Sequence, residues 1–539
     1  MTMTLEYIRK LMGWCPNTRA LEGRQCTHLE EIELDTLDGA RRGNEDLKSE
    51  SYKASNFFAN VLKLLSGSVT AQILNILLIS FTVRIYSPED YGISQIFFSL
   101  STILIIFSTF SYQFAIMLPK TEEDSANLAC LCAILVTLTS LLTALIVVFF
   151  PKNIENLLNI PGISKYLIYI PAITFFSGIF FTQNYWLSRK TSFGVIAESK
   201  VINSVSTGVF QLAVPIWNLS PFGLIAGYAA GYGCADFFML KGVREDLKVF
   251  RKVSLKRMKE LAVQYKHFPL FNSWSTLVNT ISLQVPITLL AYYYGESVAG
   301  CFSIANQIVN VPIVLLGAAI ELVFFQKISE VKNEKEPGNM KAIVGEVYKK
   351  LILIGVFPMI LLFLLGEEIS TFYLGESWYL SGTYIRILVP WIFLVFLSSP
   401  ISALYMVFDK QGTWFTFSII LLISRLATLV IGGTYGSPEF ALGLFSFTGI
   451  ILWLWNNAYL LNLAGVNKME NLKILIKYTA IGITVSIPLI LLKMLSVNVY
   501  VILLAVGIIT PIYYGITSHD DPTFKRMLSA FIVKVKNKI

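Results

Sequence analysis

The sequence has few charged residues: Asp, Glu, Lys and Arg make up only 14% of its 539 residues, whereas hydrophobic residues make up 55%. Soluble domains carry about 25% charged residues, so a soluble globular protein is excluded. Apolar segments recur between residues 58 and 517, and each is long enough to cross a hydrocarbon core of about 30 Å as a helix. They are far longer than the β-barrel spans of about 10 residues. We therefore predict an all-α polytopic membrane protein with about 14 transmembrane helices.

The absence of other sequence motifs excludes several classes of function. No glycine-rich loop of the Walker type occurs, so ATP is not the direct driver of this protein's activity. A polysaccharide polymerase or ligase needs a large outer loop with catalytic residues, but the longest predicted outer loops, 151–165 and 367–382, hold only about 15 residues. Cys15, Cys26 and His28 offer three metal ligands without a fourth. We therefore predict no enzyme activity, no metal and no cofactor.

The basic residues are unevenly distributed along the chain. Lys and Arg number 43 against 35 Asp and Glu, which gives a net charge of +8. They concentrate in alternate loops, most densely from Lys241 to Lys266, and in the tail from Lys525 to Lys538. Because cytoplasmic loops carry such an excess, we predict that both termini are cytoplasmic. The positive charge then reflects topology and needs no nucleic-acid partner.

An internal repeat appears when the chain is shifted so that Tyr86 falls on Tyr294 and Gly92 on Gly300. The turn R-I-Y-S-P-E-D-Y-G, Arg84 to Gly92, joins the first two spans, and Y-G-E-S-V-A-G, Tyr294 to Gly300, joins the seventh and eighth. Six spans separate the copies, and an even number preserves direction, so the repeats are parallel and related by an axis along the membrane normal. We predict two six-helix lobes followed by two further helices.

This organisation divides the chain into six segments. They are a polar cytoplasmic arm expected to be disordered (1–55), an N-lobe (56–240), a basic cytoplasmic linker (241–268), a C-lobe (269–465), two C-terminal spans (466–517) and a basic cytoplasmic tail (518–539).

Polar side chains recur at helical spacing on the four spans that the repeat relates. They are Ser68, Gln72, Asn75 and Thr82 on the first, Gln95, Ser99, Thr102, Thr109 and Gln113 on the second, Asn272, Ser275, Asn279 and Ser282 on the seventh, and Ser303, Asn306, Asn310, Gly317 and Glu321 on the eighth. Amides are costly in hydrocarbon, so these stripes face something other than lipid. Hydrogen bonds between neighbouring helices explain one stripe. Four stripes in symmetric positions favour a water-filled cavity between the lobes, as in an alternating-access transporter.

Each ionisable residue in the spans has either a structural role or a role in the cavity. Arg425 lies mid-span, where a guanidinium needs a partner or a bound anion, and Glu321 is a candidate counter-ion. Arg84, at the outer end of the first span, either snorkels to the interface or serves the cavity. Asp236, near the inner end of the sixth span, is expected at the membrane interface. Lys200 is early in the fifth span and fits a solvated helix start.

Four segments carry a family resemblance. They are N-V-L-K-L-L-S-G-S-V-T-A-Q-I-L-N-I from Asn60, R-I-Y-S-P-E-D-Y-G-I-S-Q-I-F from Arg84, N-Y-W-L-S-R-K-T-S-F-G-V-I-A-E-S-K-V-I-N-S from Asn184, and A-G-C-F-S-I-A-N-Q-I from Ala299. In these segments the chain resembles polysaccharide or lipid-linked oligosaccharide flippases of the Wzx type, within the multidrug/oligosaccharidyl-lipid/polysaccharide (MOP) exporter superfamily. The resemblance extends over residues 55–517.

The resemblance implies a V-shaped fold in which helices one, two, seven and eight line a central cavity. It also implies cavity cations that meet the phosphate or pyrophosphate of a polyprenyl carrier, and by position these are Lys63, Arg84 and Arg425. The implied substrate is a lipid-linked glycan, moved to the outer face of a prokaryotic plasma membrane among its lipids. Transport is then either downhill or coupled to H⁺ or Na⁺.

The alternative within the superfamily is an ion-coupled multidrug/cation antiporter. Such a protein is expected to carry a buried carboxylate in the first-lobe cavity, and the first two spans hold none. A separate resemblance concerns M-T-L-E-Y-I-R-K-L-M-G-W-C-P-N, Met3 to Asn17, which is similar to the start of uncharacterised archaeal membrane proteins. It implies an archaeal source and a carrier lipid of the dolichol type.

Overall fold

The computed structural model describes residues 67–216, 220–244, 246–314 and 337–522, together with residues 320, 324, 327, 328, 331, 524 and 525. Within these residues the chain forms helices and turns and contains no strand, so the prediction of an all-α protein is confirmed. The arm 1–55, Lys63, Gly317, Glu321 and most of the tail lie outside the described residues.

Fourteen long helices occur in the described ranges, and we number them in chain order. They are α1 (described over Gly67–Ile85), α2 (Pro88–Thr109), α3 (Glu122–Phe149), α4 (Ile170–Arg189), α5 (Phe193–Ala213), α6 (Phe222–Arg244), α7 (Ser273–Tyr294), α8 (Glu296–Pro312), α9 (Pro337–Leu374), α10 (Tyr379–Ser398), α11 (Gln411–Tyr435), α12 (Pro438–Leu463), α13 (Lys468–Met494) and α14 (Val499–Asp520). Of the described helices, ten are long and apolar enough to cross a membrane. The other four are α4, α5, α7 and α8, which are more polar or, for α8, described over only 17 residues.

The turn between α1 and α2 shows how the sequence interrupts its apolar pattern. Ser87 caps α2: its Oγ accepts a hydrogen bond from the Asp90 backbone N–H at 3.2 Å, and the Asp90 carboxylate accepts one from the Ser87 N–H at 3.2 Å. Pro88 occupies the first helical turn, where its missing N–H costs nothing. In the repeat copy the break is made by Gly295, whose φ of 91° favours glycine.

The first six helices pack together as the N-lobe, and α7 to α12 pack together as the C-lobe. The last two helices pack on the C-lobe through α9, where Phe357 and Tyr513 stack with ring centroids 4.5 Å apart. A buried apolar cluster extends across both lobes and includes Phe97 of α2 and Phe302 of α8. The lobes therefore share a core along α2 and α8.

We call the end of the bundle where α2, α4 and α6 finish the basic end, because the basic segment between α6 and α7 lies there. A helix in this segment, Leu255–Gln264, docks on α3. Arg257 forms two hydrogen bonds with the Asp124 carboxylate, at 2.7 and 2.9 Å, and Leu261 is buried beneath. We call the other end of the bundle the opposite end.

Candidate functional site

The interface between the lobes is built around two glycines that the repeat relates. Gly92 of α2 lies against the backbone of Glu296 on α8, and Gly300 of α8 lies against the backbone of Pro88 on α2. The interval in the chain from Pro88 to Glu296 equals that from Gly92 to Gly300, so the two contacts are symmetric copies of each other. A Cβ on either glycine would lie about 2 Å from a carbonyl oxygen. This contact marks the pseudo-two-fold axis at the opposite end.

The repeated tyrosines make equivalent bonds inside each lobe. Tyr86, after α1, donates from its hydroxyl to the Gln211 carbonyl of α5 at 2.8 Å. Tyr294, at the end of α7, lies 2.7 Å from the Gly432 carbonyl of α11. Gln211 and Gly432 belong to the fifth and eleventh helices, which the repeat relates. The parallel repeat is therefore present in side-chain contacts as well as in helix order.

Further contacts hold the lobes together at the opposite end. The Trp378 Nε1–H, just before α10, donates to the Val83 carbonyl of α1 at 2.8 Å. Tyr373 of α9 hydrogen-bonds Ser80 of α1. The Asn159 side-chain amide donates to the Tyr292 carbonyl at 3.2 Å. These bonds join α1 and the loop after α3 to the C-lobe.

Two hydroxyl contacts join α7 to α2 and to the turn that follows α2. The Ser99 Oγ donates to Gln284 Oε1 at 2.9 Å. Nearer the basic end, the Ser273 Oγ lies 3.0 Å from the Ser111 Oγ, and both residues are buried. Ser99 belongs to the predicted stripe of the second span, so part of that stripe hydrogen-bonds across the interface between the lobes.

The predicted stripe on α2 is interrupted. Phe110 and Ser111 both have left-handed backbone conformations, with φ of 49° and 61°, and they end the helix at Thr109. Gln113 therefore does not continue the face of Gln95 and Thr102. The side-chain Oε1 of Gln113 instead accepts a hydrogen bond from the Thr109 hydroxyl. The expected continuous stripe through Gln113 is wrong, because two consecutive left-handed residues change the direction of the chain.

The polar residues of α1 mainly contact α5 within the N-lobe. The Ser204 Oγ lies 2.6 Å from Asn75 Oδ1, and Lys200 Nζ donates to the Ser68 Oγ at 2.9 Å. Gln72, one turn before Asn75, is half-buried. Arg84 is exposed in the last turn of α1, at the opposite end.

The remaining predicted polar residues of α2 and α8 are half-buried. Gln95 and Thr102 of α2 are half-buried, and Thr102 donates to its own helix at the Phe98 carbonyl. On α8, Asn306 and Asn310 are half-buried, and the Asn310 amide nitrogen lies 3.0 Å from Asn306 Oδ1.

The predicted stripe on α7 divides into two environments. Asn272 and Asn279 are exposed, whereas Ser282 is buried. Asn272 ends a π-helical turn, Phe268–Asn272, that precedes α7. The stripe is therefore accessible at Asn272 and Asn279 and buried at Ser282.

Arg425 lies inside the C-lobe. Its side chain is 7% exposed, and Nη1 donates to the carbonyl and hydroxyl oxygens of Ser282 at 2.8 and 3.0 Å. The guanidinium carbon is 5.6 Å from the Trp391 ring and 5.7 Å from the Phe445 ring, a cation–π geometry. Its contact between α11 and α7 repeats in the C-lobe the contact of Ser204 between α5 and α1. The partner that a mid-span guanidinium needs is thus a serine of its own lobe.

Sequence reasoning missed two ionisable positions. Lys200 was expected in solvated surroundings, but it is half-buried against α1. Asp236, which is expected at the membrane interface, is only 6% exposed and is therefore packed among helices. Only the packing of helices distant in sequence reveals this burial.

The described helices form a polytopic membrane protein with two repeat-related lobes, and solved structures share this fold. Lipid II flippase MurJ in an inward closed conformation gives a TM-score of 0.64 at 16% identity, covering 87% of this chain and 99% of that chain. An inward-facing multidrug resistance MATE family transporter of the MOP superfamily gives a TM-score of 0.60 at 14% identity, covering 73% and 95%. A MOP superfamily transporter from Pyrococcus furiosus gives 0.51 at 13% identity, covering 75% and 96%. The chain shares its fold with these solved structures.

The chain belongs to the polysaccharide biosynthesis protein family, whose family model matches residues 81–381. It is also similar to the lipopolysaccharide biosynthesis protein WzxC of Escherichia coli (strain K12), with 24% identity over 169 residues. That alignment covers 30% of this chain and 33% of WzxC, so it spans about a third of the relative's length. The predicted resemblance to the Wzx type is confirmed.

Proposed function

We propose that the protein is a flippase that moves a lipid-linked glycan from the cytoplasmic to the outer face of a prokaryotic plasma membrane by alternating access. The observation that carries this proposal is the match to a polysaccharide biosynthesis family over the same helices that adopt the MOP fold. A carrier such as polyprenyl or dolichyl phosphate or pyrophosphate supplies the lipid. The excess of Lys and Arg near the basic end supports a cytoplasmic location for that end.

The accessible amides of the four repeat-related helices suit the glycan. Asn279 is exposed on α7, and Gln72, Gln95, Asn306 and Asn310 are half-buried on α1, α2 and α8. Each amide carries two N–H donors and a carbonyl acceptor, which match sugar hydroxyl groups. Their location on the helices around the pseudo-two-fold axis favours a binding surface between the lobes.

The carrier phosphate needs a cation, and the described residues favour Lys200. Arg425 is enclosed by Ser282 and two aromatic rings, and Arg84 lies at the opposite end. Lys200 is near the basic end of α5, half-buried, and its Nζ bonds Ser68 Oγ. A lysine ammonium has three donors, so two remain for phosphate oxygens.

The charge balance around Lys200 supports an anionic ligand. Among the described residues, no carboxylate lies within ion-pair distance of its Nζ. A partly buried ammonium without a counter-ion is costly. A phosphate or pyrophosphate entering from the basic end would supply that counter-ion and gain charge-assisted hydrogen bonds.

The experiment reconstitutes the protein in liposomes with a fluorescent polyprenyl-pyrophosphoryl sugar and measures how fast the sugar becomes accessible on the far leaflet. Wild type should flip the lipid, and Lys200→Gln should slow flipping at least about tenfold, the effect of losing one charged hydrogen bond of about 1.5–3 kcal/mol. Lys200→Arg should retain most of the activity. Lys120→Gln, which removes an exposed lysine near the basic end, is the matched control and should flip at the wild-type rate.

Two results contradict the proposal in different ways. Equal rates for Lys200→Gln and Lys120→Gln would remove Lys200 from the phosphate site while leaving the flippase assignment intact. Failure of wild type to flip the lipid, together with uptake of fluorescent drug-like cations, would replace the flippase with the multidrug antiporter.

A further inference from the structure

A carboxyl group of the N-lobe is buried without a partner in the described part of the chain. Asp236 of α6 is 6% exposed, and neither Oδ1 nor Oδ2 has a hydrogen-bond partner in the described part of the chain. It lies two turns before the end of α6, inside the bundle rather than at its surface. An ionised carboxylate in such surroundings is costly, and the neutral acid is favoured.

Aromatic and polar groups surround Asp236. Tyr228, Tyr232 and Asp236 follow each other at intervals of four residues and share one face of α6. The centroid of the Tyr232 ring is 5.1 Å from that of Tyr228 and 5.3 Å from that of Phe180 on α4. Tyr228 in turn lies 4.4 Å from Phe98 of α2. The face that carries Asp236 therefore packs toward α4 and α2, the helix that contacts the C-lobe.

The same region of the N-lobe holds other unpaired polar atoms. On α4, the Gln183 Oε1 is buried without a hydrogen-bond partner among the described residues. On α5, the Asn203 Nδ2 is likewise buried and unpaired. Native interiors leave few such groups. These groups place further unpaired polar atoms, among the described residues, on α4 and α5, the two helices that pack on α6.

The cations of the neighbouring elements are engaged elsewhere or exposed. Lys190 pairs with Glu122 at 2.7 Å and with Asp246 at 2.9 Å. Arg189 donates to backbone carbonyls, including that of Pro119 at 2.7 Å. Two other titratable groups on the surrounding elements are hydrogen-bonded: Lys200 to Ser68, and Tyr112 to the Ala262 carbonyl. Two more contact aromatic rings: Tyr185 lies against Phe114, and the Lys241 ammonium lies over Phe238. The remaining groups are the exposed Glu198 and Arg244 and the thiols Cys130 and Cys132 of α3. No basic group in the described ranges forms an ion pair with Asp236.

We propose that Asp236 is a proton-binding site whose protonation and deprotonation couple a proton gradient to transport. This inference rests on the proposed function and adds its energy source. The proton binds one carboxyl oxygen when water reaches Asp236 from one side of the membrane and leaves to water when the lobes have rearranged. The conformation described here is stable when the buried Asp236 carboxyl group is protonated and neutral. Ionisation of this carboxyl group makes the conformation less stable.

The surroundings favour a proton over a metal cation as the ligand. A hard cation takes several oxygen ligands at once. In the described structure no hydroxyl or N–H group hydrogen-bonds either Asp236 oxygen. The described residues also contain no cluster of three His, Cys, Asp or Glu side chains that could hold a metal ion. A proton needs only the carboxyl group itself.

The first test is independent of transport. Infrared spectra of purified full-length protein are recorded across pH, and the carbonyl stretch of protonated carboxylic acid is followed. In wild type one such band should persist above the range of about pH 3–5 in which exposed carboxyl groups ionise. Asp236→Asn should lack this band, whereas Glu198→Gln, which removes an exposed carboxyl group, should keep it. Persistence of the band in Asp236→Asn would overturn the proposal.

The second test measures flipping of the fluorescent polyprenyl-pyrophosphoryl sugar in liposomes with an imposed pH gradient. Wild type should respond to the gradient, up to about tenfold per pH unit for one titrating group. Asp236→Asn should flip at a rate independent of the gradient, and Asp236→Glu, which keeps the acid, should restore the response.

The outcomes separate the two proposals. A gradient response that survives in correctly folded Asp236→Asn overturns the proton site and leaves the flippase assignment standing. A response of wild type to a Na⁺ gradient but not to a pH gradient does the same. Absence of flipping by wild type removes the flippase assignment, and then a missing infrared band in Asp236→Asn still supports proton binding by this carboxyl.

Discussion

The contact between Gly92 and Gly300 predicts how the lobes respond to one added methyl group. In Gly92→Ala the new Cβ would lie 1.9 Å from the Glu296 carbonyl oxygen and 2.5 Å from its carbonyl carbon. Both are backbone atoms, so no side chain can rotate away. Restoring an ordinary contact of 3.4 Å requires α2 and α8 to separate by about 1.5 Å. We therefore expect Gly92→Ala to destabilise the conformation in which the opposite end is closed.

The magnitude follows from the cost of overpacking. Insertion of a methyl group into a tight contact costs about 1–3 kcal/mol, which changes a conformational equilibrium by about 5- to 150-fold. Alanine also favours a helix over glycine by about 1 kcal/mol. That gain is the same in both conformations, because α2 remains helical in each. The equilibrium between the conformations should therefore move toward separation of the lobes at the opposite end.

The assay is a distance measurement by pulsed electron paramagnetic resonance. Spin labels are attached at Leu157, after α3, and at Tyr435, at the end of α11, which are 77% and 84% exposed at the opposite end on different lobes. Gly92→Ala should shift the distance distribution to longer values. Gly507→Ala is the matched control, since a Cβ there meets nothing within 4 Å. An unchanged distribution in folded Gly92→Ala would refute the argument that this contact holds the lobes closed.

Two further predictions concern buried side chains. Trp378→Phe removes the hydrogen bond to the Val83 carbonyl and should weaken closure by about 1–3 kcal/mol; the same spin-label pair should report longer distances, and no change would mean that the bond does not bias closure. Arg425→Ala should lower unfolding stability in detergent by about 2–5 kcal/mol, because it leaves a cavity between two aromatic rings and an unpaired Ser282. Thermal unfolding measures this, and full stability combined with loss of flipping would instead make Arg425 a substrate ligand.

Much of the architecture could be predicted because its signals are local in the sequence. Long apolar runs require membrane-spanning helices, since backbone groups in hydrocarbon must bond internally. The Ser87–Asp90 capping box and Pro88 fix the first turn. The internal repeat is also visible in the chain, and the structure confirms it in the paired Gly92 and Gly300 contacts.

The candidate site was harder to predict, because a helical stripe does not reveal what it faces. In a membrane bundle both lipid and the packed interior are apolar, so hydropathy indicates that a helix spans the membrane but leaves its rotation open. Asn75 contacts Ser204, which is distant in the sequence. Arg425 contacts Ser282 from another helix of its lobe. No local pattern specifies either pair.

The sequence by itself determined the all-helical membrane class, the parallel repeat and the family resemblance, since composition, periodicity and internal similarity are properties of the chain. Only the tertiary structure decided that Arg425 is enclosed by its own lobe and that, among the described residues, Lys200 lacks a carboxylate partner and Asp236 is buried unpaired. These outcomes depend on how helices separated by many residues rotate and pack together. The free energy of an ionisable side chain in the membrane is set by those neighbours rather than by its position along the sequence.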